Sequence, residues 1–245
     1  MDPGSLALLY PAIALVAFPY SAVGHAGASG YIAVLTLAGL APGVVRPTAL
    51  ALNVLVAMLA TYQFWRAGHF RWRLFWPFAL LSVPAAFVGG SLPVTANVFK
   101  PIVGLVLLVS AARFLVRTAD REDTSAPALP LALATGAVLG LLAGITGTGG
   151  GIFLTPVMLL AGWARTKETA AVSAPFILVN SVSGLFGFLR TGAPLPGFAW
   201  SLAAIAVGAG FAGSSLGSRR FPVRTVRLIL ASVLLIAGAK LVFRF

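Results

Sequence analysis

Gly144-Ile-Thr-Gly-Thr-Gly-Gly-Gly-Ile-Phe-Leu-Thr-Pro156 decides how this chain is read. It gathers helix-breaking glycines and hydroxyl side chains inside sequence that is otherwise soluble in hydrocarbon. A degraded copy, Gly24-His-Ala-Gly-Ala-Ser-Gly30, stands in the first half. Water satisfies the backbone groups freed by such a break in a soluble loop. Within a bilayer they need protein, ligand or a wetted cavity, so a broken helix there marks a pathway.

Composition makes the bilayer the expected solvent. Hydrophobic residues are 59% of the 245, charged residues 9%, and the mean hydropathy is +1.00. A soluble domain of this size does not need so much apolar surface. The net charge of +12 does not point to nucleic acid, because the cations fall between apolar segments and not on a basic, aromatic-interleaved face. Cysteine is absent, which removes disulfides, thiolate metal sites and cysteine nucleophiles. The first apolar segment has only Asp2 before it and no basic leader, so it reads as a retained span.

Outward from the break, the apolar segments are Leu6–Val23, Tyr31–Leu40, Pro47–Trp65, Leu74–Leu92 and Phe99–Val116, then Leu129–Ile145, Ile152–Ala161, Thr169–Leu189, Phe198–Leu216 and Thr225–Phe243. Most approach the roughly 20 residues that cross a hydrocarbon core. Tyr31–Leu40 and Ile152–Ala161 are too short, and each follows a glycine-rich break, so they read as half-helices. The expected organisation is a first membrane repeat over 1–117, a cytoplasmic linker over 118–128 and a second repeat over 129–245.

The halves match in order. Ala85-Ala-Phe-Val-Gly-Gly-Ser-Leu92 aligns with Ala209-Gly-Phe-Ala-Gly-Ser-Ser-Leu216, and Arg66-Ala-Gly68 with Arg190-Thr-Gly192. Leu107-Leu-Val-Ser-Ala-Ala-Arg-Phe114 aligns with Leu234-Leu-Ile-Ala-Gly-Ala-Lys-Leu241, and Gly27-Ala-Ser-Gly30 with Thr148-Gly-Gly-Gly151. Duplication implies a pseudo-twofold arrangement with a site where the halves meet.

Loop charge assigns the hand of the repeats. If each broken pair enters and returns to one side, Arg66, Arg71, Arg73, Arg113, Arg117, Arg121, Arg165, Lys167, Arg219, Arg220, Arg224 and Arg227 share a face. Arg46, Lys100, Arg190, Lys240 and Arg244 share the other, giving twelve cations against five. A single crossing of the second break gives nine against eight. The positive-inside rule selects the first arrangement. The fold class expected is therefore an all-α integral membrane protein of two inverted repeats, each of four to five helical segments with a broken, glycine-rich pair, and with both termini outside. Trp65, Trp72, Trp76, Trp163 and Trp200 fall where an interfacial belt would place them.

Chemistry inside the spans is sparse. Asp2, Asp120, Glu122, Asp123 and Glu168 are all the acids, and none lies within an expected span. That disfavours a buried carboxylate relay, an acidic sodium site and intramembrane aspartyl catalysis. Neither HExxH nor a phosphate-binding Gly-x4-Gly-Lys-Ser/Thr occurs, so transport, if present, is secondary and the chain is not expected to be an enzyme. No metal or cofactor is expected either. What remains suits an anion. Glycine backbone at Gly149, Gly150 and Gly151 offers N–H groups at the start of a helix, where partial positive charge accumulates. Thr146, Thr148 and Thr155 add hydroxyls, and His25, Ser29 and Gly30 form the counterpart in the first half. Asn53, Ser173 and Asn180 are further donors on neighbouring helices.

Plainer roles compete for the same residues. Glycine clusters such as Gly89-Gly90 and Gly208/Gly210/Gly213 serve close helix packing, His69 belongs to a basic loop, and Ser173 and Ser181 can bond back to their own helix. Asn53 and Asn180 divide evenly between interhelical glue and substrate donors. Pro175 should kink its helix. His25 can carry a coupling proton, since no other group in the spans titrates near neutral pH.

Together, the glycine motif at 144–156, Lys167-Glu-Thr-Ala-Ala-Val-Ser-Ala174 and Asn180-Ser-Val-Ser-Gly184 resemble the sulfite exporter TauE/SafE family of membrane permeases, over essentially the whole chain. The resemblance implies movement of a small sulfur-containing anion, such as sulfite, sulfoacetate or a related organosulfonate, across the bacterial inner membrane. The first half departs from the family's glycine-rich pattern. An anion channel, or a permease for another small organic or inorganic anion, is the alternative. Expected partners are that anion and membrane lipid, with self-association into a homo-oligomer an open alternative.

Overall fold

A computed structural model describes residues 3–92, 107–108, 111–112, 115, 123–190 and 195–243. The described residues form helices and connecting turns, without strands. The first half contributes α1 (Pro3–Ala22), α2 (Ala28–Leu37), α3 (Pro42–Arg66) and α4 (Trp72–Ser91). The second contributes α5 (Leu129–Thr146), α6 (Gly151–Ala161), α7 (Thr166–Leu189), α8 (Ala199–Arg219) and α9 (Val223–Phe243). The expected segment Phe99–Val116 lies outside the described residues except for Leu107, Leu108, Ala111, Ala112 and Leu115, and residues 118–122 of the 118–128 linker lie outside them too.

Among the described residues, α3, α4, α5, α7 and α8 are each long and apolar enough to cross a membrane. Their outer surfaces are apolar as well: Met58, Leu80, Val138, Phe186 and Phe211 are all more than half exposed. Water would penalise such a surface, whereas lipid does not. The expected boundaries hold to within a few residues with one consequential exception. The third helix begins at Pro42 and not Pro47, because Pro42 occupies the first turn, where a missing N–H costs nothing. Arg46 is thereby drawn from a loop into the helix.

Packing between the halves is reciprocal. α4 lies against α5 and α7, while α8 lies against α1 and α3. Each of these neighbour pairs is locked by glycine. Gly136, Gly140 and Gly144 on α5 abut the carbonyls of Phe78, Ser82 and Ala86 on α4, one turn apart and ascending together, so the two helices run parallel. Gly213 and Gly217 on α8 abut the carbonyls of Phe18 and Ala22 on α1, again in parallel. A side chain at any of these positions would meet backbone, so the glycines set the closeness of approach. Gly89 and Gly90 behave likewise, Gly210 is closed instead by the side chains of Val56 and Ser21, and Gly208 faces open space and does not share the expected packing role. α3 and α7 cross in antiparallel fashion: Asn53 meets Ser181 near one end, and Phe64 clusters with Ala170 and Ala171 near the other.

Two apolar cores result. One joins Phe78 of α4 with Leu154 and Met158 of α6, Phe176 of α7 and Leu230 and Leu234 of α9. The other joins Ile13 of α1, Tyr31 and Leu35 of α2, Leu52 and Val56 of α3 and Ala206 of α8. Helix ends sort into two groups. An Arg71–Glu168 ion pair of 2.5 Å, a His69 Nε2 bond to the Ser218 carbonyl (3.1 Å) and an Arg227 Nε bond to Thr166 Oγ1 (2.8 Å) gather one group. Arg46 gathers the other, donating to carbonyls near the ends of α4 and α5 and lying over the Phe188 ring.

Candidate functional site

Both glycine-rich stretches leave the helix. Residues 23–27 separate α1 from α2, and residues 147–150 separate α5 from α6. Gly149 and Gly150 adopt φ of 72° and 83°, a left-handed conformation that other L-residues enter at a cost of about 1–2 kcal/mol each. That conformation turns the chain sharply enough for α6 to start within the fold. The N–H groups of Gly151 and Ile152 open the helix without a helical carbonyl to bond, and those of Phe153 and Leu154 both return to the Gly150 carbonyl at 3.0 Å.

Around this break the structure assembles one polar cluster. Asn53 is fully buried, and its Nδ2 donates to the Thr148 carbonyl and to Ser181 Oγ, each at 3.3 Å. Its Oδ1 has no partner among the described residues. A Cβ on Gly149 would fall 2.6 Å from Ser181 Oγ and 2.9 Å from Asn53 Nδ2, so the glycine leaves room for those two donors. Thr146 and Thr148 are placed here as expected, but their hydroxyl protons are already committed. Thr146 donates to the Leu142 carbonyl (2.7 Å), and the Thr148 hydroxyl lies 2.8 Å from it. With these hydroxyls and both protons of Asn53 Nδ2 engaged, the backbone N–H groups are the available donors at this break.

A second cluster surrounds the first break. His25 is buried, and its Nε2 lies 2.7 Å from Thr155 Oγ1 of α6. Thr155 Oγ1 lies 2.7 Å from Ser173 Oγ of α7. The His25 Nδ1 has no partner among the described residues. Ser29 is half-buried and turns to the Tyr20 hydroxyl at 2.9 Å. Gly30 is a packing residue, pressed against Val16 and Tyr20, and Gly151 likewise lies under Ile177. Asn180 joins a third contact, accepting from Ser82 on α4, while its Nδ2 is unpartnered among the described residues.

The candidate residues thus do not form one shell. Ser173 and Ser181 are eight residues apart on α7, about 12 Å along its axis. The His25–Thr155–Ser173 set occupies one level of α7, and the Asn53–Thr148–Ser181 set the other. Ser173 and Ser181 bond to other helices here, not back to their own turns. Pro175 sits within a continuous α7. Arg46 and Thr155 are the residues whose importance sequence reasoning understated. Recognising Pro42 as a helix start would have placed Arg46 four residues inside α3, where a cation needs partners.

Comparison with known proteins finds membrane transporters among the relatives of this chain. A probable membrane transporter protein of Sinorhizobium fredii is 42% identical over 250 residues, covering 99% of this chain and 100% of that protein. A probable membrane transporter protein of Methanocaldococcus jannaschii is 23% identical over 150 residues, 58% of this chain and 54% of its own length. No solved structure matches. The sulfite exporter TauE/SafE family model matches residues 9–241, nearly the full chain, and so this multi-pass membrane protein belongs to the sulfite exporter TauE/SafE family of membrane transporters.

Proposed function

We propose that this transporter is a secondary carrier for a small sulfur-containing anion, such as sulfite, sulfoacetate or a related organosulfonate, in the bacterial inner membrane. Its path runs along α7 between the two breaks. The observation that carries the reading is the meeting of both breaks on one buried helix, with His25 reaching Ser173 through Thr155 and Thr148 held by Asn53 beside Ser181. Two helix starts whose first N–H groups have no helical carbonyl to bond, the unengaged Asn180 Nδ2, and no acid in the sequence between Asp2 and Asp120 or between Asp123 and Glu168 make a lining that favours negative charge.

Two inverted repeats follow from the same reading. The parallel pairs α4/α5 and α1/α8, with the antiparallel crossing of the equivalent helices α3 and α7, support exchange of the halves by a twofold axis in the membrane plane. The face holding Arg66, Arg71, Arg73, Arg165, Lys167, Arg219, Arg220, Arg224 and Arg227 would be cytoplasmic, leaving both termini outside.

Purified protein in liposomes should take up sulfite, sulfate, thiosulfate or sulfoacetate in preference to a carboxylate control. Preference for the carboxylate would end the sulfur-anion reading. Counterflow separates the carrier from the rival channel: preloaded anion should accelerate uptake of labelled anion, and a channel would give no such acceleration.

A further inference from the structure

Arg46 stands at the mouth of the second break. Its Nη2 donates to the carbonyls of Gly89 (2.9 Å) and Gly90 (3.2 Å) in the last turn of α4, and to that of Gly144 near the end of α5. Its stem runs against Gly147, whose Cβ would fall 2.8 Å from Arg46 Cγ. The guanidinium carbon lies 5.5 Å from the Phe188 ring centroid, and Nε is buried without a partner among the described residues. Helix C-termini carry partial negative charge, so these carbonyls hold a cation in place while leaving part of its fork unengaged.

Arg46 has one described cation for company at this end. Along α3, α5, α6 and α7 the other cations are Arg66 and Lys167, at the opposite helix ends, and Arg190, which caps α7 at the same end but lies over the Phe87 ring and not against the second break. Neutral carbonyls make weaker partners for a guanidinium than an oxyanion, which can take two parallel N–H bonds. An anion arriving beside Gly147 would therefore compete successfully for Arg46, and the Gly151 and Ile152 N–H groups lie only a few residues further along the break.

Resting on the anion-carrier reading, we propose that Arg46 is the residue that recognises the anion as it enters from the α3-start side. The carbonyls of Gly89, Gly90 and Gly144 act as a parking site for its guanidinium. On anion entry the fork turns from those carbonyls to two oxyanion oxygens, bringing charge into the break without a permanently buried unpaired cation.

The test is sulfite uptake into sealed vesicles of both orientations, comparing wild type, Arg46→Gln and Arg46→Lys. Glutamine still donates to carbonyls but is neutral; lysine keeps the charge and loses the fork. From the α3-start side, Arg46→Gln should raise KM about tenfold or more, the size of one lost charge-assisted contact, with kcat nearly unchanged and Arg46→Lys in between. From the opposite side KM should move far less. Unchanged KM with lowered kcat or thermal stability would reduce Arg46 to a cap for two helix ends and overturn the proposal. Should both variants fail to fold, phenylglyoxal inactivation of wild type supplies the answer. Protection by saturating sulfoacetate, which unlike sulfite does not add to the reagent's aldehyde, supports the proposal, and its lack overturns it. A wild type that carries a carboxylate instead leaves Arg46 to be scored with that anion, so the sulfur reading falls alone. A wild type that carries no anion removes both.

Discussion

His25 and Thr155, 130 residues apart in sequence, lie 2.7 Å apart between Nε2 and Oγ1 in a buried contact. This bond joins the first break to the helix that follows the second. Because Thr155 is also 2.7 Å from Ser173, one hydroxyl carries the polar connection among α6, α7 and the first break. Thr155→Val keeps the shape and removes both bonds. It should lower stability by about 1–3 kcal/mol, because a buried ring nitrogen and a hydroxyl lose their partner. Thermal unfolding in detergent reads this, and a double-mutant cycle with His25→Ala should return a coupling of about 0.5–2 kcal/mol. Additive losses would mean that the contact contributes nothing.

We expect the same chain to carry a proton. Hydroxyl and imidazole groups both donate and accept, so the polarity of Ser173–Thr155–His25 can reverse. The unpartnered Nδ1 of His25 is the position where a second proton would sit, and an anion in the neighbouring break would favour the resulting imidazolium. We expect an imposed pH gradient to drive anion uptake in wild type. His25→Gln should retain downhill flux yet lose the response to the gradient. Retained gradient-driven accumulation in His25→Gln would remove the coupling role.

Gly149 tests the backbone geometry of the second break. Alanine there meets φ of 72° and three close neighbours, Ser181, Ile177 and Asn53, at 2.6–2.9 Å. Gly68 has φ of 78° but open space around its Cβ position. Gly68→Ala should cost about 1–2 kcal/mol from conformation alone and leave flux unchanged. Gly149→Ala should cost more and abolish most flux, because Asn53 and Ser181 must move. Equal flux in the two variants would show that the Asn53–Ser181 contact is irrelevant to transport.

Much of this fold is legible in the chain because apolar length and glycine clustering act locally. Runs such as Leu129–Ile145 and Thr169–Leu189 announce their helices, and both breaks fall where glycine and histidine interrupt the apolar pattern. The site is less legible. Thr146 and Thr148 look like free donors in sequence, but the i−4 carbonyl of Leu142 and the neighbouring hydroxyl engage them. Arg46 looks like a loop cation because Pro47 follows it, whereas α3 starts one turn earlier at Pro42. The separation of His25 and Asn53 onto two levels of α7 depends on helix crossings that no spacing encodes.

Interhelical glycines make the last prediction. Gly140 faces the Ser82 carbonyl of α4 so closely that any side chain there would collide with backbone, which cannot rotate away as a side chain does. Its neighbours Gly136 and Gly144 stand one turn to either side, so the three act as one seam. Lipid offers apolar side chains as good a solvent as protein does, so this seam relies on close backbone approach and not on burial. Gly140→Val should therefore separate α4 from α5 and cost about 1–3 kcal/mol or more by overpacking. Ser82, which bonds Asn180 across to α7, moves with it, so flux should fall as well. Gly208→Val on α8 adds the same side chain in open space and should change neither stability nor flux. Thermal unfolding and sulfite uptake on the two variants decide it, and a tolerated valine at Gly140 would contradict the α4–α5 packing described above.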